Sequence, residues 1–196
     1  AIARAAGALP RVAGGARVSV YLAMRQEVQT GPLLAWLFQG GKRVFVPTVV
    51  GSRSADMRMP ELRGLEELAG LRESKWGIPE FEPAQLAERA DGADPDAGAE
   101  ELIDVVLAPG VAFTAACHRL GHGKGYYDCF LAGLQQRRRA AGLAPAFVVG
   151  LALDEQVVDA VPLDAHDVPL DAVVTPTRVF HGSGAAHADH AVAAQQ

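Results

Sequence analysis

Cysteine is nearly absent from this 196-residue chain, with Cys117 and Cys129 the only two. Two cysteines cannot build a disulfide scaffold, and their spacing fits neither a C-x-x-C motif nor a zinc pattern, which suits a reducing compartment. Long apolar runs are missing as well. Val105–His118 and Ala140–Leu153 are among the longest stretches without Asp, Glu, Lys or Arg. Pro and Gly interrupt both, and both fall short of the roughly 18 residues a membrane span needs. No secretory apolar segment opens the chain. Positive charge is in the minority: 18 Lys and Arg against 23 Asp and Glu leave a net charge of -5 and a pI of about 5.7. A dedicated nucleic-acid binder carries the opposite balance, so nucleic acid is not an expected partner, and only a local basic site remains open. Lysine is scarcest of the charged residues, limited to Lys42, Lys75 and Lys124. Acidic residues are absent from Ala1 to Gln26, where Arg4, Arg11, Arg17 and Arg25 stand. Transit peptides share that bias, but a truncated helix followed by a strand is the favoured account of it. The chain opens on Ala1 rather than Met, so residues are expected upstream. The expected compartment is the cytoplasm, with mitochondrion or plastid as the alternative.

What the chain does have is apolar material, 49% of residues, enough for a sizeable core. Ile2–Leu9 reads as the end of a helix stopped at Pro10 and Gly14-Gly15. Arg17–Ala23 alternates and is rich in β-formers, the mark of a strand. Thr30 can cap a helix with Pro32 in its first turn that ends at Gly40-Gly41. Lys42–Pro47 reads as a second strand and Asp56–Pro60 as a third. Glu82–Glu100 is acidic and rich in Pro, Gly and Ala, so a solvated connection is expected there. Ile103–Ala108 is a nearly continuous apolar run ended by Pro109-Gly110, as in a strand buried on both faces. A long loop over 111–125 leads into a helix over Tyr126–Ala141, with Arg137, Arg138 and Arg139 complementing the dipole of its last turns. Ala146–Leu153 and Ala172–Thr175 complete the strands. Alternating strands and helices predict one layered α/β domain over residues 1–180 with a largely parallel sheet. His181–Gln196 reads as a frayed tail.

The most informative segment is Arg119–Asp128, RLGHGKGYYD. Alternating Gly121, Gly123 and Gly125 let backbone N–H groups turn towards one anion, and the helix that follows adds its free donors and positive end. Arg119, His122 and Lys124 add cationic side chains. The spacing is neither a Walker loop, because Gly125 stands where Ser or Thr is needed, nor a dinucleotide fingerprint, because Tyr126 fills the last glycine slot. A glycine-rich turn entering a helix, with Lys124 solvated, is the structural alternative to a phosphate cradle. Asp128 can pair with the helix dipole or, beside phosphates, ligate Mg²⁺. A second oxygen ligand would come from the stretch after the late strand, where Asp164, Asp167 and Asp171 are all eligible. A zinc site built from His166, His181, His187 and His190 is disfavoured by their spacing.

The run PGVAFTAACHRLGHGKGYYDCFL resembles the signature of the 5-formyltetrahydrofolate cyclo-ligase (methenyltetrahydrofolate synthetase) family. RVSVYLAMRQEVQT, KWGIPEF and ALDEQVVDAVPLDAHDVPLDAVVT resemble the same family in the same order. The resemblance implies the α/β/α arrangement that sugar-phosphate isomerases and CoA-transferases share. It also implies ATP- and Mg²⁺-dependent closure of 5-formyltetrahydrofolate to 5,10-methenyltetrahydrofolate, with ADP and phosphate released and an imidoyl phosphate between. By the same resemblance, Arg119, Leu120, Gly121, His122, Gly123, Lys124, Gly125, Tyr126 and Tyr127 form the ATP loop. Arg119, Lys124 and Tyr126 act on the reacting groups, and Asp128 and Asp167 bind magnesium. Leu22 and Glu27 line the folate site, which His122–Tyr126 also touch, and Met24 and Trp76 are candidate walls for the pterin. The implied partners are small molecules, ATP and a folate that can carry a polyglutamate tail, acting on a monomer or homodimer. The family begins with a helix whose Lys and Arg reach the ATP phosphates; here that helix is expected to be cut short. It also has Asp at the position of Thr114 and Gly at that of Cys117. A positive φ at Cys117 would strain the loop by about 1 kcal/mol or more. A non-catalytic relative acting as a binding module is the second reading. An isomerase or acyl-CoA transferase is the third, and it would leave the glycine loop unexplained.

Overall fold

The computed structural model describes residues 1–75 and 77–183, so Trp76 and the predicted tail beyond residue 183 lie outside the described residues. Two short helices, α1 (Ile2–Gly7) and α2 (Pro10–Gly14), precede strand β1 (Arg17–Val20). Pro10 does not end the helical region as expected. It opens α2 from its first position, where a missing N–H costs nothing. Helix α3 (Gly31–Gln39) and strand β2 (Arg43–Phe45) follow. Thr30 is the N-cap by position only, because its buried hydroxyl donates to the Tyr21 carbonyl at 2.8 Å.

The chain then leaves the main sheet for a hairpin of β3 (Thr48–Val49) and β4 (Met57–Arg58), and returns with β5 (Glu61–Leu62). Of the strand predicted over Asp56–Pro60 only Met57–Arg58 forms, and β5 begins beyond its predicted end. Helix α4 (Leu65–Gly70), a small hairpin of β6 (Arg72–Glu73) and β7 (Pro79–Glu80), and helix α5 (Pro83–Ala87) come next. The stretch expected to be solvated is thus partly structured. Leu86 is buried, and the buried Asp91 carboxylate accepts hydrogen bonds from Arg58 Nε at 2.6 Å and Met59 N at 2.7 Å.

Strand β8 (Val105–Ala108) leads to a hairpin of β9 (Ala112–Thr114) and β10 (Arg119–Leu120), where a long loop was expected. Helix α6 (Tyr126–Ala140) and strands β11 (Phe147–Leu151), β12 (Val157–Val158), β13 (Ala172–Val174) and β14 (Val179–His181) complete the fold. His181 belongs to this last strand rather than to the predicted tail, in register with Ala172.

The main sheet runs β14-β13-β11-β8-β1-β2-β5. Its five inner strands are parallel, and the two edge strands are antiparallel. Side chains alternate across β8: Val105 and Leu107 pack with α1, α2 and α3, whereas Val106 and Ala108 pack with Phe130, Leu131 and Leu134 of α6. These are the predicted three layers, and the two-sided cover explains why β8 is apolar at every position. At the N-terminal end of the strands, Asp104 accepts hydrogen bonds from the Ala16 and Arg17 amides and from the Arg17 guanidinium. Arg138, read from sequence as a dipole-complementing surface cation, is 6% exposed at its side chain. It donates to Asp104 and to the Leu102, Ile103 and Ala144 carbonyls.

Candidate active site

Because the inner strands are parallel, their C-terminal ends release the chain on one side of the sheet, where ligands of α/β folds bind. A cleft of about 1150 Å³ lies there. Tyr21 and Leu22 beyond β1, Pro47 beyond β2, and Pro109 and Gly110 beyond β8 line it. Every residue from Arg119 to Cys129 lines it too, so the glycine loop faces open space rather than packed protein.

The loop's geometry follows from its glycines. Gly123 (φ 75°) and Gly125 (φ 67°) are left-handed, a conformation that costs other residues about 1 kcal/mol. Gly125 is the N-cap of α6 and supplies no side-chain hydrogen bond, so the first-turn N–H groups of this 15-residue helix carry no side-chain cap. His122 and Lys124 are exposed, and among the described residues no hydrogen bond or ion pair engages Lys124. The Ser54 side chain, at the tip of the β3–β4 hairpin, lies over Gly125. Val49, Val50 and this turn escape sequence analysis, although Gly51-Ser52 between apolar residues is a turn signal.

Arg119 is 6% exposed at its side chain and Asp128 22%. One nitrogen of Arg119, Nη2, donates to both Asp128 oxygens at 3.0 and 2.9 Å, and the guanidinium lies 5.4 Å from the Tyr127 ring centre. Arg119 Nε and the Tyr127 hydroxyl are buried with no hydrogen-bond partner among the described residues. Burial drives the Tyr127 phenol well above the ordinary tyrosine range, with Arg119 opposing and Glu27 reinforcing that shift. Tyr127 therefore faces the cleft as a neutral donor. The ion pair itself is not foreseen from sequence, which reads Arg119 against a phosphate and Asp128 against the helix dipole or Mg²⁺.

Asp164, His166 and Asp167 form the wall next to Asp128. Asp167 Oδ2 accepts the Asp164 amide at 2.7 Å, and Val168 N donates to Asp128 Oδ1 at 3.4 Å. Asp171 does not line the cleft. It faces the sheet, where Val148 N donates to it at 2.7 Å. Among the described residues no three His, Cys, Asp or Glu side chains gather closely enough to cage a metal by themselves. Two or three carboxylates on one wall instead fit a hard cation that shares its shell with phosphate oxygens and water.

The opposite wall is the loop after β1. Tyr21 Oη donates to the Val28 carbonyl at 3.1 Å and Thr30 to the Tyr21 carbonyl, clamping the loop at its base. Within it Met24 N donates to Glu27 Oε2 at 2.8 Å. Leu22, Met24 and Glu27 line the cleft, as do Ile78 and Glu80 just past Trp76.

Below the cleft, Cys117 turns the β9–β10 hairpin at φ 64°, the strained conformation expected if this position requires a glycine. Its carbonyl accepts the Leu170 amide at 2.9 Å, tying the hairpin to the segment after Asp167. Burial pushes its thiol up to about 11, so it stays protonated.

Comparison with known proteins agrees with this geometry. The model of the 5-formyltetrahydrofolate cyclo-ligase family matches residues 1–176. A 5-formyltetrahydrofolate cyclo-ligase of Saccharomyces cerevisiae is 36% identical over 194 residues, covering 92% of this chain and 85% of that protein. A probable 5-formyltetrahydrofolate cyclo-ligase of Schizosaccharomyces pombe is 34% identical, covering 83% and 76%. The solution structure of 5,10-methenyltetrahydrofolate synthetase from Aquifex aeolicus superposes with a TM-score of 0.63 at 28% identity, over 92% of this chain and 78% of that one. The chain belongs to the 5-formyltetrahydrofolate cyclo-ligase family.

Proposed function

We propose that this chain closes 5-formyltetrahydrofolate to 5,10-methenyltetrahydrofolate at the expense of ATP, releasing ADP and phosphate. The observation that carries the reading is the meeting, in one cleft, of an anion-receptive glycine loop and a separate, partly apolar wall built by Leu22, Met24 and Glu27. The chemistry requires both. A formamide oxygen leaves poorly, so the γ-phosphoryl is first transferred to it, giving an imidoyl phosphate. The neighbouring amine nitrogen, N10, then attacks the formyl carbon and gives up its proton, and phosphate departs with the oxygen. Such transfers are accelerated by alignment and by neutralising charge on the phosphoryl oxygens.

In this reading the N–H groups of Gly121–Tyr127 and the Lys124 ammonium hold the nucleotide phosphates. Arg119 supports the transferring group, and Tyr126 lies between the two substrates. Asp128 and Asp167 would hold Mg²⁺, which supplies charge neutralisation at the phosphates when bound. Leu22 and Met24 offer apolar contact to the pterin, and Glu27, oriented by Met24 N, offers a carboxylate acceptor to its N–H groups. The binding-module reading is not favoured, since Arg119, Lys124, Asp128 and Asp167 all remain and face one cavity. Among the described residues no helix is long and apolar enough to cross a membrane, and the proposed compartment is the cytoplasm.

The test is direct. Mixing the chain with 5-formyltetrahydrofolate, ATP and Mg²⁺ produces the near-UV absorbance of the methenyl product, and omitting ATP abolishes it. A folded protein that binds both substrates yet forms no product overturns the proposal.

A further inference from the structure

We infer that Arg119 and Asp128 form a latch in the ligand-free protein that makes nucleotide and divalent cation enter the cleft together, an inference that rests on the nucleotide reading of the glycine loop. The carboxylate that an incoming cation needs is already covered: Arg119 Nη2 contacts both its oxygens, and Val168 N donates to Oδ1 at 3.4 Å. The guanidinium that a phosphate needs is likewise turned to a carboxylate. A cation arriving alone must displace a buried like charge, and a phosphate arriving alone must approach a carboxylate at contact distance. Arriving together they exchange partners, the anion taking Arg119 and the cation taking Asp128, and no charge is left unpaired at either position.

Arg119 is built for such an exchange. Asp128 engages only one of its three nitrogens, and Nε is buried without a partner. The arginine thus retains a donor that its present partner does not use, and the Tyr127 ring holds the guanidinium in place while partners change. Gly121 permits the close approach, since a Cβ there would stand 2.8 Å from Arg119 Nη1. Because Val168 N also donates to Asp128, release of the carboxylate frees the segment that carries Asp167.

Isothermal titration of the chain with a non-hydrolysable ATP analogue, in EDTA and in Mg²⁺, measures the coupling. Electron paramagnetic resonance with Mn²⁺ measures cation binding without nucleotide. The wild type should bind the analogue about tenfold or more tightly with Mg²⁺ than without, the range of a typical coupling between sites. Asp128→Asn should bind the metal-free analogue several-fold more tightly than wild type, while its response to Mg²⁺ falls towards none. Arg119→Gln should bind Mn²⁺ alone several-fold more tightly than wild type. Either variant changing in the opposite direction while its melting temperature stays near wild type overturns the latch. The two arms are independent, so failure of one variant to fold leaves the other decisive. Absence of analogue binding to the folded wild type under every condition overturns the nucleotide reading itself.

Discussion

Two arginine–aspartate sites stand at opposite ends of the same sheet, and they differ in completeness. At the N-terminal end Asp104 accepts from two backbone amides and two guanidiniums, and Arg138 also donates to three carbonyls. At the C-terminal end Asp128 is held by a single arginine nitrogen and a long amide contact, with Arg119 Nε and the Tyr127 hydroxyl left over. A buried donor without a partner costs about 1–3 kcal/mol. Outside the cleft the same cost is carried at Arg89 Nε, in the ion pair with Glu67, so an unpartnered donor does not by itself mark a ligand site. Between the Asp104 and Asp128 sites the difference lies in how fully the carboxylate and its arginine are engaged, not in the residue types.

The difference can be attacked from both ends. The largest effect belongs to Lys124→Ala, which removes a cleft cation that has no partner among the described residues. Turnover efficiency with ATP should fall about 100-fold or more, as for loss of a group that acts on developing charge, while the melting temperature barely moves. A matching loss of thermal stability would return Lys124 to a structural role.

Asp104→Asn should do the reverse. It leaves the buried Arg138 short of its counter-charge, at a cost of about 3 kcal/mol, with turnover per folded molecule unchanged. The same variant tests pH dependence. Burial pushes the Asp104 carboxyl up, but hydrogen bonds and charge from Arg17 outweigh burial and hold it below its ordinary value of 3.8. A depressed folded pKa means that the stabilisation is complete above the unfolded value and is lost as pH falls through the folded one. Urea melts at about pH 6 and about pH 3 should therefore show a smaller acid loss in Asp104→Asn than in wild type.

The smallest effect is that of Gly125→Ala. The nearest side-chain atom to a new Cβ, that of Ser54, is 3.7 Å away, so only the left-handed backbone opposes the change. Stability should drop by about 1 kcal/mol, or about 2–4 °C, with weaker nucleotide binding. An unchanged melting temperature would mean that the loop relaxes freely.

The sequence made the layers legible because burial imposes periodicity. β8 is apolar throughout because both its faces are covered, and β1 alternates with Ser19 among valines. It was less informative wherever short strands pair with each other outside the main sheet. The β9–β10 and β3–β4 hairpins are two or three residues a side, too short to show a period. Pro10 and Thr30 carried correct signals for a helix start, but the first was read as a stop and the second bonds a carbonyl of the preceding strand end.

What the chain determined by itself is the α/β layering and the glycine loop, because periodicity and backbone freedom are local properties. Which aspartates face the cleft was decided only by the fold. Asp164 and Asp167 reach it while Asp171, four residues on from Asp167, turns to bind Val148 N. The Arg119–Asp128 pair likewise depends on β10 and α6 leaving the same loop in directions that bring nine residues of separation to hydrogen-bond distance. Charge pairing is a matter of position in space, and spacing along a chain does not encode it.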